Sequence, residues 1–174
     1  MRNSGILPVL LGLGLAVGLP SGCSTIGYQL GSMLPSEIQT IFVPTIKNNS
    51  TQPLLETEVT RQIIQELQRD GSLDIASEEN ADSVLNVVVT DYRIVPIAYQ
   101  DGRETATEVY RLYLTASFVA TRTDDGAVLA DSPWVQGDST FELLGDLRQA
   151  KEDGLPIAAR DLARNIVAGI VEYW

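Results

Sequence analysis

The chain has 174 residues, with 12 Lys and Arg against 23 Asp and Glu, no His and one Cys. A formal charge of −11 opposes nucleic-acid binding, which needs a basic footprint to displace counterions. Without histidine there is no Ser-His-Asp or Cys-His machinery and no His/Cys zinc site, and a single Cys allows no disulfide within the chain.

The start, Met1-Arg2-Asn3-Ser4-Gly5, is short and positively charged. It leads into 14 uncharged, mostly apolar residues, 6–19, and then Pro20-Ser21-Gly22-Cys23. That run fits the h-region of a secretory signal and is short of the roughly 20 residues a membrane span needs. Two small residues before the lone cysteine resemble the lipobox of bacterial lipoproteins, with Pro20 where such boxes favour Leu. The resemblance implies a signal peptide over 1–22, cleavage before Cys23 and acylation of its thiol. Two or three acyl chains, at roughly 0.8 kcal/mol per buried methylene, anchor a protein without a transmembrane helix. The plainer alternative is an ordinary signal with an incidental cysteine. Ser24 rather than Asp after the cysteine implies the outer membrane, with the body on the periplasmic side. Removal of 1–22 takes Arg2 away and leaves 152 residues with 11 basic and 23 acidic side chains, a formal −12.

Residues 23–36, with Gly27, Gly31 and Pro35, read as a lipidated tether. Residues 37–174 read as one domain, in keeping with a hydrophobic fraction of 44%. Ile38-Gln39-Thr40-Ile41-Phe42-Val43 is rich in β-branched residues and ends at Pro44, which predicts a strand. Residues 47–51 predict a polar loop, and Pro53 suits a first helical turn. Leu55, Val59, Ile63 and Leu67 recur every fourth residue and predict an amphipathic helix that stops at Asp70-Gly71. Leu73-Asp74-Ile75 is a short strand candidate, residues 77–82 a polar connection, and residues 84–94 a strand. The Gln100-Asp101-Gly102-Arg103-Glu104 cluster marks a turn or a longer flexible connection. From Tyr110 to Ala120 the chain alternates, with Leu112, Leu114, Ala116, Phe118 and Ala120 on one face, as in a half-buried antiparallel strand. Asp124-Asp125-Gly126 is a hairpin signal before Val128-Leu129-Ala130. An irregular stretch is expected from Trp134 and Gly137 to Gly154. A second helix follows, with a stripe through Leu155, Leu162, Ile166 and Ile170 that Trp174 continues. The order predicts an α+β, two-layer sandwich. Two helices pack on one face of a mostly antiparallel sheet of about four strands.

Little here offers chemistry. Glu56 and Glu58 diverge on their helix; Glu78-Glu79 and Asp124-Asp125 lie in connections. Phosphate-binding glycine loops and calcium loops are absent from the sequence. The reading is a non-enzyme without cofactor or metal. Tyr92, Tyr99, Tyr110 and Tyr113 gather around the central strands, as core or as interface. Arg93, Arg103 and Arg111 fall on or beside neighbouring strands, where a local cation cluster suits an anionic ligand such as a phosphorylated glycolipid. The plain alternative is surface arginine paired with Asp91, Asp101 or Glu104.

Several segments, in order, carry a resemblance: Cys23 followed by Gly27-Tyr28-Gln29-Leu30; Leu34 to Pro44 with Asn48-Asn49-Ser50; the helix with Leu55-Glu56 and Val59-Thr60; Ala81-Asp82-Ser83-Val84-Leu85; and Tyr110-Arg111-Leu112. Together they resemble the LptE-like lipopolysaccharide-assembly lipoproteins over nearly the whole mature chain. The resemblance implies a partner and plug of an LptD-like β-barrel in lipopolysaccharide transport and outer-membrane assembly, in contact with lipopolysaccharide, with two helices on a four-stranded sheet. The alternatives are an accessory lipoprotein of another envelope complex and a periplasmic ligand-binding module.

Overall fold

The computed structural model describes residue 35 and residues 37–98, 108–143 and 147–172. The alternation at 110–120 becomes β5 (Glu108–Arg122). Its Leu112, Leu114, Ala116, Phe118 and Ala120 are all buried, because they lie on the face that the helices cover. On either side run β4 (Ser83–Ala98) and β6 (Val128–Leu143), both antiparallel to it. The expected helix forms as α1 (Leu55–Asp70), with Leu55, Val59, Ile63 and Leu67 buried and Gly71 closing it at φ 75°. Helix α2 (Leu147–Val171) lies beside α1 and packs on β5 and β6. Both helices share one hydrophobic core with the inner faces of β4 and β5.

The sheet differs from the expected four strands. Among the described residues it has six, because β1 (Thr40–Phe42), β2 (Lys47–Asn48) and β3 (Asp74–Ile75) join it. The order is β3-β1-β4-β5-β6, with β2 also on β4. β1 runs parallel to β3 and β4, and β2 parallel to β4, so the sheet is mixed. Strands of two or three residues are too short to show a period in sequence; their pairing is set by the long neighbour. Lys47 and Asn48, expected in a loop, are therefore strand. Asn48 also shapes the next turn, accepting from Ser50 N and donating to Gln52 O.

Three further expectations are corrected. Helix α1 starts after Pro53, since Leu54 holds a left-handed φ of 65°. β6 continues through the stretch expected to be irregular. Its alternation is hidden because the inward residues there include Gly137 and Ser139, which admit the helix backbone closely. Helix α2 begins at Leu147 rather than near Leu155, and Gly154 and Pro156 lie inside it. Gly154 packs over Phe141, and its carbonyl accepts from the buried Ser139 hydroxyl at 2.8 Å. The ends expected around Gln100–Glu104 and Trp174 lie outside the described residues.

Two contacts pin the sheet. One carboxylate oxygen of Asp82 accepts from Gln39 N at 3.0 Å, Thr40 N at 2.9 Å and the Thr40 hydroxyl at 2.7 Å. The Thr40 hydroxyl in turn accepts from Asp82 N at 2.9 Å, tying β1 to the start of β4. At the other edge, Gly137 lets α2 sit almost on the backbone of β6.

Candidate functional site

The sheet face away from the helices carries Arg93 and Arg111, two of the three arginines that the sequence singled out. Their direction depends on a bulge. Leu85, Val87 and Val89 point inward, but beyond them it is Tyr92 and Ile94 that pack on the core. The switch from odd to even positions occurs at Thr90: Val89 pairs with Ala116 and Asp91 with Thr115, leaving Thr90 extra. Its hydroxyl donates to Thr115 O at 3.2 Å. An inserted residue flips every side chain beyond it, so Arg93 comes to the helix-free face. The signal was legible as the change of apolar period between Val89 and Tyr92.

Arg93 stands opposite Tyr113, with its guanidinium 5.4 Å from the ring centroid. That is cation–π distance. Tyr113 faces Asp138 on β6. Arg111, two residues before Tyr113, has Nε 3.6 Å from Asp138 Oδ2 and donates to Thr140 Oγ1 at 3.3 Å. Arg93 and Arg111 are thus brought together around one tyrosine. Arg111 pairs with Asp138 rather than with the neighbours expected, and Arg93 has no carboxylate partner among the described residues. Arg103 and Cys23 lie outside the described residues, as does Tyr99. The remaining tyrosines divide: Tyr92 packs on the core, where burial raises its phenol pKa, and Tyr110 stacks on Phe141 at 5.9 Å.

A second feature escaped the sequence reading, because the first turns of α2 were read as irregular. A cleft of about 400 Å³ opens between Tyr92, Gln52 and the α2 residues Arg148, Lys151, Glu152 and Leu155. Arg148 pairs with Glu152 at 2.9 Å. The i,i+4 spacing of that pair was the available signal.

Chemically, the helix-free face offers two guanidinium groups and an aromatic ring, suited to holding a phosphate or carboxylate. Among the described residues no group of three or more Asp, Glu, Cys or His could hold a metal ion. No helix among them is long and apolar enough to cross a membrane.

A family model described as LptE, lipopolysaccharide-assembly, matches residues 38–170. A search of curated proteins finds no match. Among solved structures, a candidate lipoprotein from Caulobacter crescentus CB15 is 14% identical. The likeness covers 74% of this chain and 89% of that one, with a TM-score of 0.52, a likeness of fold. A PelC dodecamer from Paraburkholderia phytofirmans is 19% identical over 81% and 95%, with a TM-score of 0.46. A minor lipoprotein from Acinetobacter baumannii is 13% identical over 79% and 95%, with a TM-score of 0.48.

Proposed function

The chain belongs to the LptE lipopolysaccharide-assembly family, and on that premise we propose that it is a non-enzymatic, lipid-anchored protein of the outer membrane that partners and plugs an LptD-like β-barrel translocon. The observation that carries this reading is the family match over residues 38–170. Cys23 is the anchor, residues 23–36 the tether, and the α+β body sits on the periplasmic side. A plug needs a rigid body whose outward surface is polar enough to meet a hydrated lumen. The helix-free face, with Arg93, Arg111, Asp138 and Thr140, supports that role. The net charge of −11 repels anionic glycolipid at long range, so any contact with lipopolysaccharide falls to local cations. Arg93 and Arg111 are the residues proposed to meet its phosphates.

The test is purification of the tagged full chain in detergent. A large outer-membrane β-barrel is expected to co-purify, with lipopolysaccharide. In R93A/R111A the barrel yield is expected to hold while the lipopolysaccharide retained falls by roughly tenfold, two charge-assisted contacts being lost. Recovery of unrelated envelope complexes alone overturns the reading.

The anchor is tested separately. In Cys23→Ala, labelling with a radioactive fatty acid is expected to vanish and the uncleaved precursor to accumulate. Normal processing of that variant would show an ordinary signal peptide instead.

A further inference from the structure

Strand β6 is the long edge of the sheet. An open edge of that length invites pairing with another strand. Several of its outward backbone groups are nevertheless taken in the stretch 134–138. The Ser132 hydroxyl donates to Trp134 O at 2.8 Å and accepts from Trp134 N at 3.4 Å. Asn165 of α2 donates to Gln136 O at 2.7 Å, and Asp138 N donates to Asp161 of α2 at 3.1 Å. Strand addition is therefore hindered along this part of the edge.

In the same stretch the largest side chain points outward. Trp134 is 63% exposed. It lies in a bulge, where Pro133 and Trp134 together stand opposite Ser117. Val119, diagonal to it across the β5–β6 pair, is 38% exposed, and Val128, further along β6 opposite Thr121, is 55% exposed. Asp131 stands opposite Val119 and has no cation within ion-pair distance among the described residues. Isolated exposed apolar residues are ordinary. An exposed indole at a partly blocked strand edge, with exposed valines further along the same face, is a different arrangement.

We infer that Trp134 is the anchor of a side-chain-mediated interface with a partner protein whose surface offers an apolar socket rimmed by Lys or Arg. Buried tryptophan dominates many interfaces, because a rigid ring fills a pocket at low entropic cost. The charge selects the occupant. Asp131 and a body of formal −12 repel a second copy of this chain and an anionic lipid surface, and they attract a basic protein surface. The inference rests on the proposed partnership and names the contact on this chain that makes it.

The experiment compares the tagged full chain with W134A, W134F and D131R by co-purification of the β-barrel. Trp134 is exposed, so all four should melt alike, which a thermal scan checks. W134A is expected to lower barrel recovery by roughly tenfold or more, with W134F between it and the wild type and D131R also reduced. A photo-crosslinking amino acid at 134 is expected to join the chain to the barrel. Equal barrel recovery by wild type and W134A, or adducts with lipid alone, overturns the anchor. A wild-type chain that recovers no barrel overturns the proposed function instead, so the two failures are separable.

Discussion

Gly137→Ala is expected to destabilise the fold by about 3 kcal/mol or more, the upper end of overpacking penalties. A Cβ at this position would lie 2.1 Å from Leu162 N, 2.5 Å from Leu162 Cα and 2.6 Å from Ala158 O. All three are backbone atoms, so no rotamer change relieves the clash. Helix α2 would have to retreat from β6. That retreat loosens Leu162, which is fully buried, and parts Asn165 from Gln136 O and Asp161 from Asp138 N. Equilibrium urea unfolding measures the loss. A second consequence is specific to this site: the freed edge of β6 should associate, so sedimentation should detect dimers in the variant. Gly71 is the comparison. It needs its left-handed φ of 75° but has nothing within 4 Å of an added Cβ, so Gly71→Ala pays only backbone strain, about 1 kcal/mol. If Gly137→Ala is as mild as Gly71→Ala, the close approach of α2 and β6 is wrong.

Asp82→Ala is expected to cost about 2–4 kcal/mol at neutral pH, since hydrogen bonds to an ionised group contribute about 1.5–3 kcal/mol each and do not add fully. The carboxylate holds two backbone N–H groups and the Thr40 hydroxyl. Its removal leaves β1 tied to β4 by two register pairs, Ile41 with Ser83 and Phe42 with Val84, and by the bonds from the residue-82 N–H to the Thr40 hydroxyl and from the Ser83 hydroxyl to Thr40 O. The Thr40 hydroxyl and the backbone N–H groups of Gln39 and Thr40 hold the Asp82 pKa below its ordinary value. A carboxyl whose pKa is depressed by folding contributes stability that is present above the unfolded-state pKa, near 3.9. That stability is lost as the pH falls through the lower, folded-state value. The wild type should therefore weaken on acidification through this range, and the gap between wild type and Asp82→Ala should narrow. Urea midpoints for both proteins at pH 7 and pH 3 test this. A gap that stays constant over that interval would falsify the role given to the charge.

The site was partly visible before the fold. Arg93 and Arg111 could be placed on neighbouring strands, because residues 84–94 and 110–120 are strongly β-branched or alternating. That they share a face was not deducible from spacing alone. It follows from the Thr90 bulge, whose trace in sequence is a change of apolar parity between Val89 and Tyr92. The cleft beside α2 was missed for a related reason. Gly154 and Pro156 read locally as a helix boundary, yet the helix runs through them. Ser139 takes the Gly154 carbonyl, and Phe141 fills the space that a side chain at 154 would need. In sequence Trp134 marks only the beginning of the stretch expected to be irregular, since nothing in its neighbourhood alternates cleanly.

By itself the sequence determined the parts whose periods are long and local. These were the four-residue stripe of α1, the two-residue alternation of β5, the apolar face of α2 after Leu155, and an acidic composition without histidine that excludes histidine-dependent chemistry. Only the tertiary structure decided the parts that depend on a distant partner. β1, β2 and β3 become strands because β4 and one another accept their hydrogen bonds. β6 extends past Gly137 because a helix lies close enough to need a glycine there. Part of the outer edge of β6, at Gln136 and Asp138, is covered because Asp161 and Asn165, more than twenty residues onward, reach back to its backbone. A period records the surroundings of a segment as a whole, whereas a bulge, a cap or a close approach is fixed by single contacts between residues far apart in the chain.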